Sequence, residues 1–394
     1  MICLTDPEGI VDEPIVLSPS AFFVASMLDG LIDVTDIQYL FFKQSGGQVL
    51  SEEVIRNVVD YLDLHGYLQS PQFEERRLRV REEFARCGAR PSVLAGKTYP
   101  ESPDELRSYL DSLFLAEKGP GQRPARGAGD EAAPGEPSLR AMVVPHIDLE
   151  RGGPTYAHGY LSLAKGRSPE TVFLFGVAHA GPPSPFILTK KDFETPLGTL
   201  RTDVEIVAEL SSACSWDALE NELVHRSEHS IEFQVLMLAY LFGAGVRIVP
   251  ILCGGPLPGE QPVHPSEVAE VGRFLDTCRG LLKERDGRAC VIAGADLAHV
   301  GKRFGDPFDI DESVIEHVEA RDREDLAFVT ALDADGWYRS VMKDANARRV
   351  CGLNCIYATL KSVEGLATRG ELLHYDYAPD AAGGIVSFAG IAIS

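Results

Sequence analysis

Five short apolar runs, rich in β-branched and aromatic residues and separated by helical patterns, constrain the fold of this chain more than any other feature. They are AMVVP at 141–145, TVFLFGV at 171–177, VRIVPIL at 246–252, CVIAGA at 290–295 and IVSFAGIAI at 385–393. None alternates apolar with polar residues, so each strand must be covered on both faces. That is the condition of a mixed or mostly parallel sheet with helices on both sides, and the expected class is α/β. The 394 residues leave room for a second, smaller unit beside this one.

Residues 12–70 read as three short helices, capped by Ser18, Asp33 and Ser51 and separated by Gly46, Gly47 and Gly66. Followed by GYLQS, this plan resembles small winged-helix-like or PqqD-like modules, which hold peptides or partner proteins. The expected organisation is an interaction module at 1–70, a charged linking helix at 71–89 and a large α/β domain at 90–394. Within the last, the Gly-, Pro- and Ala-rich stretch at 119–139 has no hydrophobic period and is expected to be a mobile surface loop. A DNA-reading module of this shape needs basic residues, yet residues 1–70 hold only Lys43 and Arg56 against eleven carboxylates. The whole chain carries 59 acidic and 37 basic residues, a formal charge of −22, and such a field repels phosphate backbones. Nucleic acid is therefore not an expected partner. No apolar stretch is long enough to span a membrane and the start lacks a signal-peptide layout, so a cytoplasmic location is expected. The eight cysteines have no zinc-ribbon or disulfide-scaffold spacing and are expected to be reduced.

The histidines carry the chemistry. His146, His179 and His299 each follow directly on an apolar run, and in open α/β sheets the carboxyl ends of strands converge on one crevice. Taken singly, a histidine at a strand end is more often a capping or hydrogen-bonded residue than a ligand. Three at converging ends, with Asp296 three residues before His299, make a candidate site for zinc, iron or copper. A second constellation is local. His225, Glu228 and His229 in HRSEHSIE satisfy H-x-x-E-H, the inverted zinc-peptidase pattern. In the competing reading Glu228, His229 and Glu232 open a helix, so that His229 faces the crevice and His225 stays outside. There is no P-loop, no dinucleotide fingerprint between strand and helix and no G-x-S-x-G elbow, which lowers phosphoryl transfer and serine hydrolysis.

The order of these pieces resembles the Memo family, the B component of the bacterial AmmeMemoRadiSam systems. The resemblance runs from about residue 90 to the C-terminus. It is carried by AGKTYP (95–100), VPHIDL at His146, GVAHAG at His179, SEHSIEFQ at His229, GADLAH at Asp296 and His299, CGLN at Cys351, and the closing VSFAGIAI. It differs from the family at Thr98, where Trp is usual, and in having VPHIDL for APHAGY and AHA for SHH. The resemblance implies a fold like that of class III extradiol dioxygenases, with a metal held at His146, His179 and Cys351. It also implies pocket roles for Asp296, His229 and His299, the last matching the dioxygenase acid/base histidine.

The expected function is thus that of a Memo-like metal-binding protein, a non-haem metal redox or oxygenase-type enzyme using iron, copper or zinc. It would act with radical SAM and AMMECR-like partner proteins on a peptide or small molecule. The rival expectations are a zinc peptidase built on HRSEH and a non-catalytic scaffold that recruits a partner through its N-terminal module.

Overall fold

The computed structural model describes residues 1–6, 8–11, 13–124, 139–181, 184–254 and 263–394, so most of the loop expected at 119–139 lies outside the described residues. The chain forms two compact units, Met1–Cys87 and Gly88–Ser394.

In the first unit each expected cap is in place. Ser18 opens helix Pro19–Ser26, Asp33 and Asp36 form a reciprocal capping box on Val34–Gln44, and Ser51 opens Glu52–Leu64. The charged helix Pro71–Arg86 belongs to this unit. Val24, Ile37, Leu50 and Ile55 form one small core, and Ile15, Leu17 and Leu62 form another. The sheet of the unit comes from its N-terminus, where Ile2–Leu4 pairs antiparallel with Ile15–Leu17. GYLQS makes no strand. Instead the Tyr67 hydroxyl lies 3.0 Å from the carbonyls of Leu4 and Glu13 and ties this segment to the N-terminal strands.

The second unit is α/β, as its apolar runs require. Strand Ala289–Gly294 pairs in parallel with Ala141–Val144 on one side and Thr171–Val177 on the other. Thr171–Val177 pairs in turn with Arg247–Cys253, also in parallel. Gly384–Ile393 closes the other edge of this group antiparallel to Ala141–Val144, and among the described residues the sheet extends to eleven strands. Successive residues on a strand point to opposite faces, and the core divides accordingly. Val143, Phe173, Phe175, Val249, Ile251 and Val291 pack with helices Ala269–Glu284 and Leu353–Ser362. Met142, Val144, Val172, Leu174, Ile248 and Ile292 pack on the other side with Leu149–Lys165 and Glu232–Phe242. Two glycines let the last of these approach the sheet. A Cβ at Gly294 would stand 2.5 Å from the Ser230 carbonyl, and one at Gly176 would stand 2.6 Å from the Ile231 and Ser230 side chains. Among the described residues no helix is long and apolar enough to cross a membrane.

A buried ion pair fixes the chain just before helix Glu232–Phe242. Arg90 and Glu232, 0 % and 1 % exposed, meet at 2.5 Å. The same guanidinium donates to the carbonyls of Pro91, His225 and Glu228. The Glu232 carboxylate also accepts from the peptide N–H groups of Val93 and Leu94 and from the Tyr99 hydroxyl. This is what AGKTYP does structurally: its tyrosine helps to satisfy a buried carboxylate. The His225 ring is buried beside this knot, 3.0 Å from the Ile187 carbonyl, and burial pushes its pKa down to about 4 against a partial upward effect of that hydrogen bond.

Two outcomes follow from these contacts. Arg90→Met leaves the Glu232 charge buried without its partner and should lower unfolding free energy by about 3–5 kcal/mol in chemical denaturation, while Arg90→Met with Glu232→Leu should recover part of the loss. For His225, the unfolded chain takes up a proton near the ordinary value of 6.5 and the folded chain near 4. The His225 contribution is therefore fully present above pH 6.5 and lost as pH falls towards 4, by roughly 3 kcal/mol. Unfolding free energies measured across that interval should fall less steeply in His225→Gln.

Candidate metal centre

Three histidines reach a common point from three places in the fold. His146 sits between the end of strand Ala141–Val144 and Asp148, whose side chain caps helix Leu149–Lys165. His179 follows strand Thr171–Val177 directly. His229 lies in the irregular turn before helix Glu232–Phe242, the element brought close by Gly176 and Gly294. One ligand-capable nitrogen from each lies within 4.8 Å of the others, a grouping that could hold a metal ion. The rings of His179 and His229 stack at 4.8 Å between centroids, and His146 lies perpendicular to both. His146 is 2 % exposed at its side chain whereas His179 and His229 are 37 % and 38 % exposed, so the cluster opens on the side of the stacked pair.

The outward nitrogens are occupied as they are in ligating histidines. Nδ1 of His146 lies 2.9 Å from the Gly294 carbonyl, which leaves Nε2 for the crevice. Nδ1 of His179 lies 3.1 Å from both oxygens of Glu228. Glu228 organises this side of the site. Its carboxylate accepts from the peptide N–H groups of His179 (3.0 Å), His229 (2.8 Å) and Ser230 (2.9 Å), and lies 3.3 Å from His229 Nδ1. Burial alone would raise the pKa of Glu228, but these contacts, led by His179, outweigh it and hold the carboxyl well below its usual range. For His179 burial favours the neutral ring, and the hydrogen bond and charge of Glu228 outweigh that, so its pKa is raised. Burial pushes His229 down to about 4 and lowers His146, in each case against a nearby carboxylate.

Cys351 adjoins this triad. Its Sγ is 3.4 Å from His146 Nε2 and 3.7 Å from the Asp296 carbonyl. Burial, then the charge of Asp296, pushes the thiol pKa well up, and a cation beside it would favour the thiolate. Asp296 accepts from the His146 peptide N–H at 2.9 Å, and its other oxygen lies 3.5 Å from His146 Nε2. His299 opens the short strand His299–Gly301, with Nδ1 3.1 Å from the Leu297 carbonyl and 3.2 Å from that of Arg349, and burial lowers its pKa. A cleft of about 460 Å³ reaches Cys351, lined among others by Val177, Ala178, Cys253, Arg349 and Asn354.

His146, His179, His229, Cys351 and Asp296 thus lie together, with a different grouping from the one expected, while His299 is held against the Leu297 and Arg349 carbonyls. His229, expected as a pocket residue, stands with His146 and His179 as the third nitrogen of the cluster. The inverted peptidase pattern is not realised. His225 lies in the short 3₁₀ turn Glu222–Arg226, buried against Ile187, and Glu228 turns its carboxylate to His179 and His229. The helix expected to open at Glu228 begins at Glu232, because the Glu228 carboxylate takes the peptide N–H groups of His229 and Ser230 instead. Sequence reasoning missed the supporting roles of Glu228, Arg90 and Arg349. For Glu228 the signal was present, an acidic residue directly before a candidate histidine.

Residues 90–392 match the family model described as Memo-like protein. A MEMO1 family protein of Aquifex aeolicus is 31% identical over 388 residues, covering 98% of this chain and 94% of its own length. A MEMO1 family protein of Methanosarcina acetivorans is 33% identical over 305 residues, 77% of this chain and 97% of that protein. One from Methanopyrus kandleri is 31% identical over 307 residues, with 77% and 97% coverage. With its own candidate centre built from the motifs that this match spans, the chain belongs to the Memo-like protein family.

Proposed function

We propose that this protein binds a transition metal at His146, His179 and His229, with the thiol of Cys351 beside them, and uses it in redox or oxygenase-type chemistry. The reading is carried by one observation, the three imidazole nitrogens within 4.8 Å of one another. The donor set fits such an ion. The Nδ1 atoms of His146 and His179 are held by a carbonyl and a carboxylate, and the thiol stands against the inward Nε2 of His146. When bound there, iron, copper or zinc would supply Lewis acidity, and iron or copper would also supply electron transfer to a substrate or oxygen. Iron, copper and zinc all suit these donors.

The remaining groups handle protons and position. Asp296 holds the His146 backbone, and His299 keeps its Nδ1 proton on carbonyl oxygens, leaving Nε2 free to accept a proton from a substrate. The substrate is a peptide or small molecule entering the cleft beside Cys351, and the reaction runs alongside a radical-enzyme partner. The acidic first unit serves to recruit a protein or peptide: Leu31, Tyr39, Phe42 and Val49 are exposed there.

Metal analysis of protein purified without oxygen tests the centre. The wild type should retain close to one iron, copper or zinc per chain and the His146→Ala, His179→Ala double variant less than about a tenth of that; equal and negligible contents would remove the proposal. Glu228→Gln keeps the shape but not the charge behind His179 and His229, and should weaken metal affinity about 10–100-fold in competition with a chelator.

A further inference from the structure

The segment at 343–351, between helices Ala334–Met342 and Leu353–Ser362, holds three residues other than glycine in the left-handed region: Ala345 (φ 57°), Asn346 (φ 55°) and Arg349 (φ 54°). Such backbone persists only where the surroundings over-determine it. Here two adjacent arginines do so. Arg348 is buried and donates to both Asp322 and Asp325. Asp322 also accepts from the hydroxyls of Tyr375 (3.0 Å) and Ser387 (2.5 Å), and Asp325 from that of Ser340 (2.5 Å). Arg349 holds Asp306 through two nitrogens at 2.8 and 3.0 Å and reaches the His299 carbonyl at 3.2 Å. The Asn346 amide closes the turn on the peptide group of Val350.

The clamped backbone delivers two things to the crevice. The carbonyl of Arg348 accepts the His299 peptide N–H at 2.7 Å, and that of Arg349 accepts at His299 Nδ1. Two residues on, Cys351 Sγ stands against His146 Nε2, and the Gly352 N–H is bonded to the Asp296 carbonyl at 3.0 Å.

We propose that Arg348 and Arg349 are positioning residues which lock this segment so that one stretch of chain fixes the tautomer of His299 and sets the Cys351 thiol at the metal centre. The Cys351 half rests on the metal-binding reading above; the His299 half does not. With the segment locked, His299 carries its proton on Nδ1 and offers Nε2 to the pocket. With it released, the ring loses one of its two carbonyl acceptors and the thiol loses its fixed distance from His146.

Two measurements on the full chain test this. The side chain of Arg349 is 41% exposed, so Arg349→Gln and Asp306→Asn are chosen as the variants expected to fold, with Arg348→Met as the stronger perturbation. In the metal-free protein, long-range proton–nitrogen correlation of labelled histidine should give a single Nδ1–H tautomer for His299 in the wild type and a mixture in Arg349→Gln. In protein loaded with Co(II) without oxygen, the near-ultraviolet thiolate-to-cobalt band should vanish in Cys351→Ser. Per bound cobalt it should fall at least twofold in Arg349→Gln and Arg348→Met, and return towards wild type when Arg349→Asp is combined with Asp306→Arg. A wild-type tautomer and wild-type band intensity in all three variants would overturn the proposal. A wild type that binds no cobalt would overturn the metal reading and with it the Cys351 half, while the tautomer measurement still decides the His299 half.

Discussion

Arg90 and Glu232 meet where water does not reach, and opposite charges hold such a position only when the remaining donors and acceptors around them are used. Here they are used on the chain that carries the crevice. The guanidinium spans from Glu232 to the carbonyls of His225 and Glu228, so the irregular turn between them is pinned at both ends. That turn presents the Glu228 carboxylate to His179 and sets His229 over it. A buried charge pair is weak evidence for stability by itself. Its role in this fold is to define one conformation for a segment that is neither helix nor strand.

The same division of labour recurs across the site. Regular strands bring His146 and His179 to one end of the sheet, and the parallel pairing of Ala141–Val144, Ala289–Gly294 and Thr171–Val177 is sufficient for that. The other contributors, His229, Cys351 and the Nδ1 contacts of His299, depend on irregular backbone. Each irregular stretch is held by arginine: Arg90 for 225–232, Arg348 and Arg349 for 343–351. Arginine suits this use because its planar fork can bind a carboxylate and backbone carbonyls at once without losing its charge.

This division also explains how far the sequence was legible. The α/β class followed from runs apolar on both faces, and His146 and His179 from their positions after such runs, because strand direction and crevice position are properties of the sheet as a whole. The caps Ser18, Asp33 and Ser51 were legible because capping is local. The place of Cys351 came from resemblance alone, since no periodicity joins residues 351 and 146, whereas Asp296 and His229 were also reached from their spacing. What stayed hidden was pairing at a distance. Nothing near Arg90 in the chain points to Glu232, and nothing near Arg348 points to Asp322 and Asp325. GYLQS is held by a contact of the same kind, because Tyr67 finds its acceptors more than fifty residues away, at Leu4 and Glu13. Such contacts depend on tertiary structure that local patterns do not encode.

The charges around the triad close the argument about what it is built to hold. Glu228 stands behind His179 and His229, and Asp296 beside His146, so the three imidazoles face two carboxyl groups. Glu228 raises the pKa of His179 against the effect of burial, so of the three rings this is the one on which a proton is most favoured. The thiol of Cys351 stays protonated for the converse reason, since burial and Asp296 both oppose a further negative charge. A divalent ion held between the rings, as proposed above, would disfavour a proton on His179 and favour the Cys351 thiolate. The carboxylates that raise His179, while burial keeps His146 and His229 low, are the same ones that would balance the charge of the proposed cation.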